Sequence, residues 1–183
     1  MKFWRKLWGT KPAMVAPHGI FDDSVESAAL VLDEVILETL RHECDRKFPH
    51  ETGGVLVGHV ASDGLTIVSA VVGPGPNALH ARSRFTRDGE YAQIEVDRIY
   101  RESDGRDDYI GEWHSHPDAG GPSFIDRGSM SWISDNPLYG RNEPVLIIVE
   151  RARTNEWRPR AFRWIARRLI EVQTSTPVDP KSQ

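Results

Sequence analysis

The chain has 183 residues, a formal net charge of −4 and an apolar fraction of 39%. This length suits one domain with a buried core, and the mild acidity speaks against a general nucleic-acid binder. The longest apolar run, Val145 to Val149, is far too short to span a bilayer, and the single cysteine, Cys44, excludes an intramolecular disulfide or a cysteine-based zinc knuckle.

Residues 1–27 read as a leader. Their opening, Met1 to Trp8, is basic and aromatic but lacks the apolar run of a secretory signal. Membrane contact is not expected, and cysteine poverty fits a reducing, cytoplasmic location. Residues 28–170 are expected to form the domain and 171–183 a disordered tail. Acidic residues gather early (Asp22 to Glu38) and arginines late (Arg151 to Arg168), the latter read as a solvated face.

Within the domain, the spacing of Leu32, Val35, Ile36, Leu40 and Cys44 predicts a helix over 27–47 that ends before Pro49. Strands follow at 54–60 and 65–72, joined by an Asp63-Gly64 turn. Past a Gly/Pro loop at 73–77, residues 82–86 read as a short strand. Residues 89–103 read as a helix with Tyr91, Ile94, Val96 and Ile99 inward. A strand is expected at 109–116 and a helix from Ser123 to about Ser134. A strand at 145–151 carries apolar residues on both faces, and another at 160–165 is expected to run into a terminal helix. Strands and helices mix without strict alternation, which indicates an α+β domain with a mixed central sheet flanked by helices.

Chemistry concentrates in thirteen residues, His114 to Asp126. On a strand, positions i and i+2 share a face, so His114 and His116 project side by side. Pro122-Ser123 is a helix start with Ser123 at the N-cap, which puts Asp126 in the first turn. Two imidazoles and one carboxylate leave a fourth position for water, the pattern of an open zinc site. The same Ser-x-x-Asp spacing is also that of a helix capping box. The same donor types also suit a non-haem iron(II) centre, although there the usual order is a His-x-carboxylate pair with a distal His.

With these residues in view, the chain resembles the JAMM (MPN-plus) metalloprotease family. That signature is a glutamate, then His-Ser/Thr-His-Pro, then Ser-x-x-Asp. His114-Ser115-His116-Pro117 and Ser123-Phe124-Ile125-Asp126 match it, and Glu51 in Glu51-Thr52-Gly53-Gly54 stands where the glutamate enters the first strand. The resemblance covers Leu32 to Ile165. It implies a cytidine-deaminase-like JAB1/MPN architecture around one zinc ion bound by His114, His116 and Asp126. Glu51 would be the general base and Ser123 the oxyanion donor. The loop from Pro117 to Pro122 is one residue shorter than the family's commonest spacing, which leaves Asp118 as an alternative ligand.

The implied activity is cleavage after the C-terminal glycine of ubiquitin or a ubiquitin-like protein. The stretch Gly111 to Pro117 is similar to small bacterial members associated with E1-like and E2-like partners and antiphage-defence operons. The same resemblance admits trimming of a sulfur-carrier-like protein. A non-catalytic MPN scaffold is disfavoured, because such scaffolds generally lack a ligand and none is missing here.

Overall fold

A computed structural model describes residues 30–176 of the chain. The leader expected at 1–27 and the last residues of the expected tail lie outside them. The first described element is a two-residue strand, β1 (Leu30–Val31). Helix α1 (Glu34–Lys47) follows, capped by Asp33, whose carboxylate accepts the Ile36 N–H at 2.8 Å. A helix had been expected from 27. Pairing of β1 with its neighbours overrides the local pattern there, and the helix starts only at its cap.

The remaining elements are β2 (Gly53–Val60), β3 (Thr66–Val72), β4 (Leu79–Ala81), β5 (Arg84–Thr86), α2 (Gly89–Glu102), β6 (Asp108–His116), α3 (Phe124–Asp135), β7 (Val145–Arg151), β8 (Trp157–Ile165), β9 (Arg168–Val172) and β10 (Thr174–Ser175). Eight strands form one mixed sheet in the order β10-β1-β3-β2-β6-β7-β8-β9, with β4 and β5 as a separate hairpin. Only Gln173 separates β9 from β10, yet they stand at opposite ends of that order. The sheet must therefore curl round until its two ends share one continuous stretch of chain.

What it curls around is α1. Ile36, Leu40 and Cys44 recur every four residues and pack with Leu56, Trp113, Ile147, Val149, Ala161 and Val172. Val35, expected inward, is exposed. The outer face carries two helices. Ala92 and Val96 of α2 cover Val55, Val57 and Val72, with Tyr91 and Ile99 at the margin, while Ile94 faces solvent. Met130 and Ile133 of α3 cover Leu146, Ile148, Phe162 and Trp164. Strand β7, apolar on both faces, thus serves two cores, as its sequence predicts.

Two further expectations fail near the C-terminus. No terminal helix follows Ile165. The chain reverses through Ala166 and Arg167, at φ 46° and 63°, and returns as β9 paired to β8. A two-residue loop of this type I′ kind needs positive φ at both positions, and Ala-Arg does not advertise it as Asn-Gly would. Residues 171–172 and 174–175, expected to be disordered, belong to β9 and β10, where the sheet closes on β1. The late arginines do not make a uniform basic face. Arg160 pairs with Glu150 and Glu171, Arg167 with Asp135, and Arg151 stacks 3.8 Å over the Phe48 ring.

Candidate metal centre

Strand β6 lies between β2, antiparallel, and β7, parallel. Its alternation sends Trp113 and Ser115 toward α1 and puts His114 and His116 on the outer face. The two imidazoles meet edge to edge, with Nε2 atoms 3.0 Å apart. Helix α3 begins over them. Asp126 Oδ1 lies 3.2 Å from His114 Nε2, and Asp126 Oδ2 lies 3.7 Å from His116 Nε2. One donor atom from each of the three falls within 4.8 Å of the others. Asp118 is exposed and outside this group, so the short loop brings Asp126 and not Asp118 to the histidines.

The capping box and the metal cluster are one structure. Ser123 Oγ accepts the Asp126 N–H at 3.2 Å, and Asp126 Oδ2 accepts the Ser123 N–H at 2.6 Å. The cap therefore fixes the rotamer that presents the carboxylate to the histidines. A second hydrogen bond sets a tautomer. His116 Nδ1 stands 2.8 Å from the Gly120 carbonyl, which can only accept, so Nδ1 carries the proton and the Nε2 lone pair faces the cluster.

The electrostatics agree. Burial lowers the His116 pKa and keeps the ring neutral. Burial alone would raise Asp126, but its hydrogen bond with His114, the charge of that ring and the Ser123 contacts hold the carboxylate well below its usual range. Two imidazole nitrogens 3.0 Å apart with a carboxylate oxygen beside them are a donor set that suits a zinc ion, whose nitrogen ligands at about 2.0–2.1 Å stand roughly 3.3–3.4 Å from each other in a tetrahedral site.

Glu51 enters from the other side of β6. Burial raises its pKa, His114 opposes this, and Asp126 adds to it, so the carboxyl lies within electrostatic reach of the cluster. Its backbone is clamped. The Glu51 N–H donates to the Ala81 carbonyl at 2.8 Å, and His80 Nδ1 donates to the Glu51 carbonyl at 2.9 Å, both from the β4–β5 hairpin. Two residues on, Gly53 lies opposite His114, where an added Cβ would come within 2.8 Å of His114 Cβ and 2.9 Å of the Phe85 ring. That absence of side chain lets the Glu51 segment lie close to the metal strand. Beyond the hairpin, Arg87 pairs with Glu112, which also accepts the Tyr109 hydroxyl at 2.9 Å on the face shared with His114.

All five residues picked from the sequence thus gather at one end of β6. Reasoning from the sequence missed the hairpin residues His80 and Ala81, and also Thr52, because their contacts are long-range and no local motif marks them.

This fold and its three-donor cluster are those of a JAB-type metalloprotease domain. Residues 33–165 match the family described as prokaryotic homologs of the JAB domain, and the chain belongs to that family. It is 33% identical to a probable metalloprotease of Sinorhizobium fredii, over 72% of this chain and 80% of that protein. It is 30% identical to a CD-NTase/cGAS isopeptidase of Escherichia coli, over 71% of this chain and 80% of that one. A solution structure of a Desulfitobacterium hafniense protein shares the fold, with a TM-score of 0.62 at 18% identity, covering 82% of this chain and 94% of that one. Among the described residues no helix is long and apolar enough to cross a membrane.

Proposed function

We propose that this protein is a zinc-dependent isopeptidase or peptidase that frees a protein from an amide bond formed at that protein's C-terminus. The observation that carries the reading is the convergence of His114, His116 and Asp126 beside a clamped, partly buried Glu51. His114, His116 and Asp126 would hold the ion. When bound, zinc supplies an acidified water and a positive charge for the scissile carbonyl. Glu51 takes a proton from the attacking water and passes it to the leaving amine. A raised pKa suits the first of these steps, because it makes the carboxylate a stronger base toward the attacking water. The Ser123 hydroxyl donates a hydrogen bond to the carbonyl oxygen as negative charge builds there.

The acyl partner is a protein with an extended C-terminal tail. The motif resemblance favours a ubiquitin-like protein and its conjugates, with E1-like and E2-like partners. The relatives named CD-NTase/cGAS isopeptidases favour a CD-NTase as the protein released. Both present the same chemistry to the site, and purified conjugates of each type separate them. Cleavage of the preferred conjugate should vanish in a chelator and return with added zinc. Cleavage that continues in the chelator refutes the metalloprotease reading.

A further inference from the structure

The residue between the two histidines has no part in the chemistry above, yet it is among the most constrained in the molecule. Ser115 is fully buried and points away from the cluster, toward α1. Its Oγ accepts the Thr52 backbone N–H at 2.9 Å, and its own N–H donates to the Thr52 carbonyl at 2.7 Å. Thr52 is likewise fully buried, and its hydroxyl donates to Glu43 on α1 at 3.1 Å. The Cys44 thiol of α1 meets the same Ser115 hydroxyl.

We infer that Ser115 is a positioning residue that sets the register of Glu51 against His114 and His116. This rests on the reading of Glu51 as the general base. The physical argument is one of linkage. The backbone groups of Glu51 are held by the hairpin, and those of Thr52 by Ser115. Of these, only the second pair of bonds joins the Glu51 segment directly to the strand that carries both histidines, just before the β2–β6 ladder begins at Gly53 and His114. Above Thr52, Gly53 pairs with His114 but has no side chain to fix the offset. The hydroxyl of Ser115 is therefore the only side-chain tie, among the described residues, between the base's segment and the metal strand at this level. Misplacing a reacting group by about 1 Å can cost about 100-fold in rate, so a lost tie should appear in turnover before it appears in binding.

The test is a double-mutant cycle on the full chain, using a C-terminal fusion or conjugate that the wild type cleaves. Ser115→Ala is expected to keep stoichiometric metal, the visible spectrum of the cobalt-substituted enzyme and KM, while kcat falls about 10- to 100-fold. Ser115→Thr, which restores the hydroxyl, is expected to recover most of that loss. Combined with Glu51→Gln, Ser115→Ala should lower kcat no further, because there is no longer a base to position. An equal fold-loss in both backgrounds, or loss of metal or a changed cobalt spectrum in Ser115→Ala, would overturn the proposal. So would undiminished kcat. If Ser115→Ala does not fold, Ser115→Cys under reducing conditions fills the same space with a poor acceptor and carries the same expectations. Glu51→Gln separately tests the underlying reading. If it turns over as well as wild type, the general base is elsewhere, whereas an inactive Glu51→Gln beside a fully active Ser115→Ala defeats the positioning role alone.

Discussion

Asp126 serves two purposes, and substitution can separate them. It closes the capping box of α3 by accepting the Ser123 N–H at 2.6 Å, and it completes the three-donor cluster with the two histidines. Asp126→Asn keeps an acceptor for that N–H but loses the anionic donor. Asp126→Ala loses both. Without metal, Asp126→Asn should lose only the carboxylate's attraction to His114, while Asp126→Ala loses in addition about 0.5–2 kcal/mol from the cap. With metal the order changes. At a free zinc concentration 100 times its Kd, the wild type gains about 2.7 kcal/mol. If the amide weakens binding about 100-fold, the same zinc adds only about 0.4 kcal/mol, from RT ln 2. At about 2–4 °C per kcal/mol for a domain of this size, the wild type should rise by about 5–11 °C on adding zinc and Asp126→Asn by about 1–2 °C. Thermal melts of chelator-treated protein, with and without zinc, read both quantities. Asp118→Asn is the control and should respond like wild type. A full zinc shift in Asp126→Asn, or its loss in Asp118→Asn, would show that the ligand assignment is wrong.

Two other predictions concern the scaffold. Asp107 is buried between β2, β3 and the α2–β6 turn, where it accepts from His59 at 2.6 Å, Ser69 at 3.0 Å and Arg106 at 3.0 Å. Burial pushes its pKa up, but the bonds from Arg106, His59 and Ser69 outweigh that and leave it lowered. A carboxylate lowered in the folded state contributes stability that is complete above its unfolded pKa of about 3.9 and is lost as pH falls through the folded value. Asp107→Ala should cost about 1–3 kcal/mol in urea unfolding at pH 7. The gap between it and wild type should narrow below about pH 4. A gap that is constant with pH would assign the loss to packing. Leu40, with no exposed surface, sits where α1 fills the curled sheet. Leu40→Ala should lose about 2–5 kcal/mol in the same assay, and a loss under 1 kcal/mol would mean that the helix is not enclosed.

Much of this molecule was legible in one dimension. The alternation along β6 placed both histidines on one face, and Pro122-Ser123 marked the start of α3, because strand period and helix capping are decided within a few residues. Strands β2, β3 and β7 and helix α2 follow from the same local patterns. The failures lie where a distant partner decides. Leu30–Val31 is a strand only because β3 and β10 lie on either side of it. Ile94 has the apolar character but not the position of a buried residue, since Ala92 and Val96 already face the sheet. The turn at Ala166-Arg167 adopts positive φ because β9 pairs with β8, against its own local preference.

The candidate site divides in the same way. By itself the sequence determined the donor types, their order and the local geometry of each: two histidines two apart on a strand and a carboxylate in a helix's first turn. It left Ser-x-x-Asp suspended between a cap and a ligand set, and Asp118 in contention with Asp126. The tertiary structure folds the start of α3 over β6, so that the capping carboxylate of Asp126 faces the two histidines and Asp118 stays outside the group. It alone brought Glu51 to the cluster across sixty residues, through backbone bonds from a hairpin and from Ser115. Short-range order follows from dihedral preferences and side-chain period, which the chain carries locally. The approach of Glu51 depends on strand pairing and on room at Gly53, which exist only once the sheet has closed around α1.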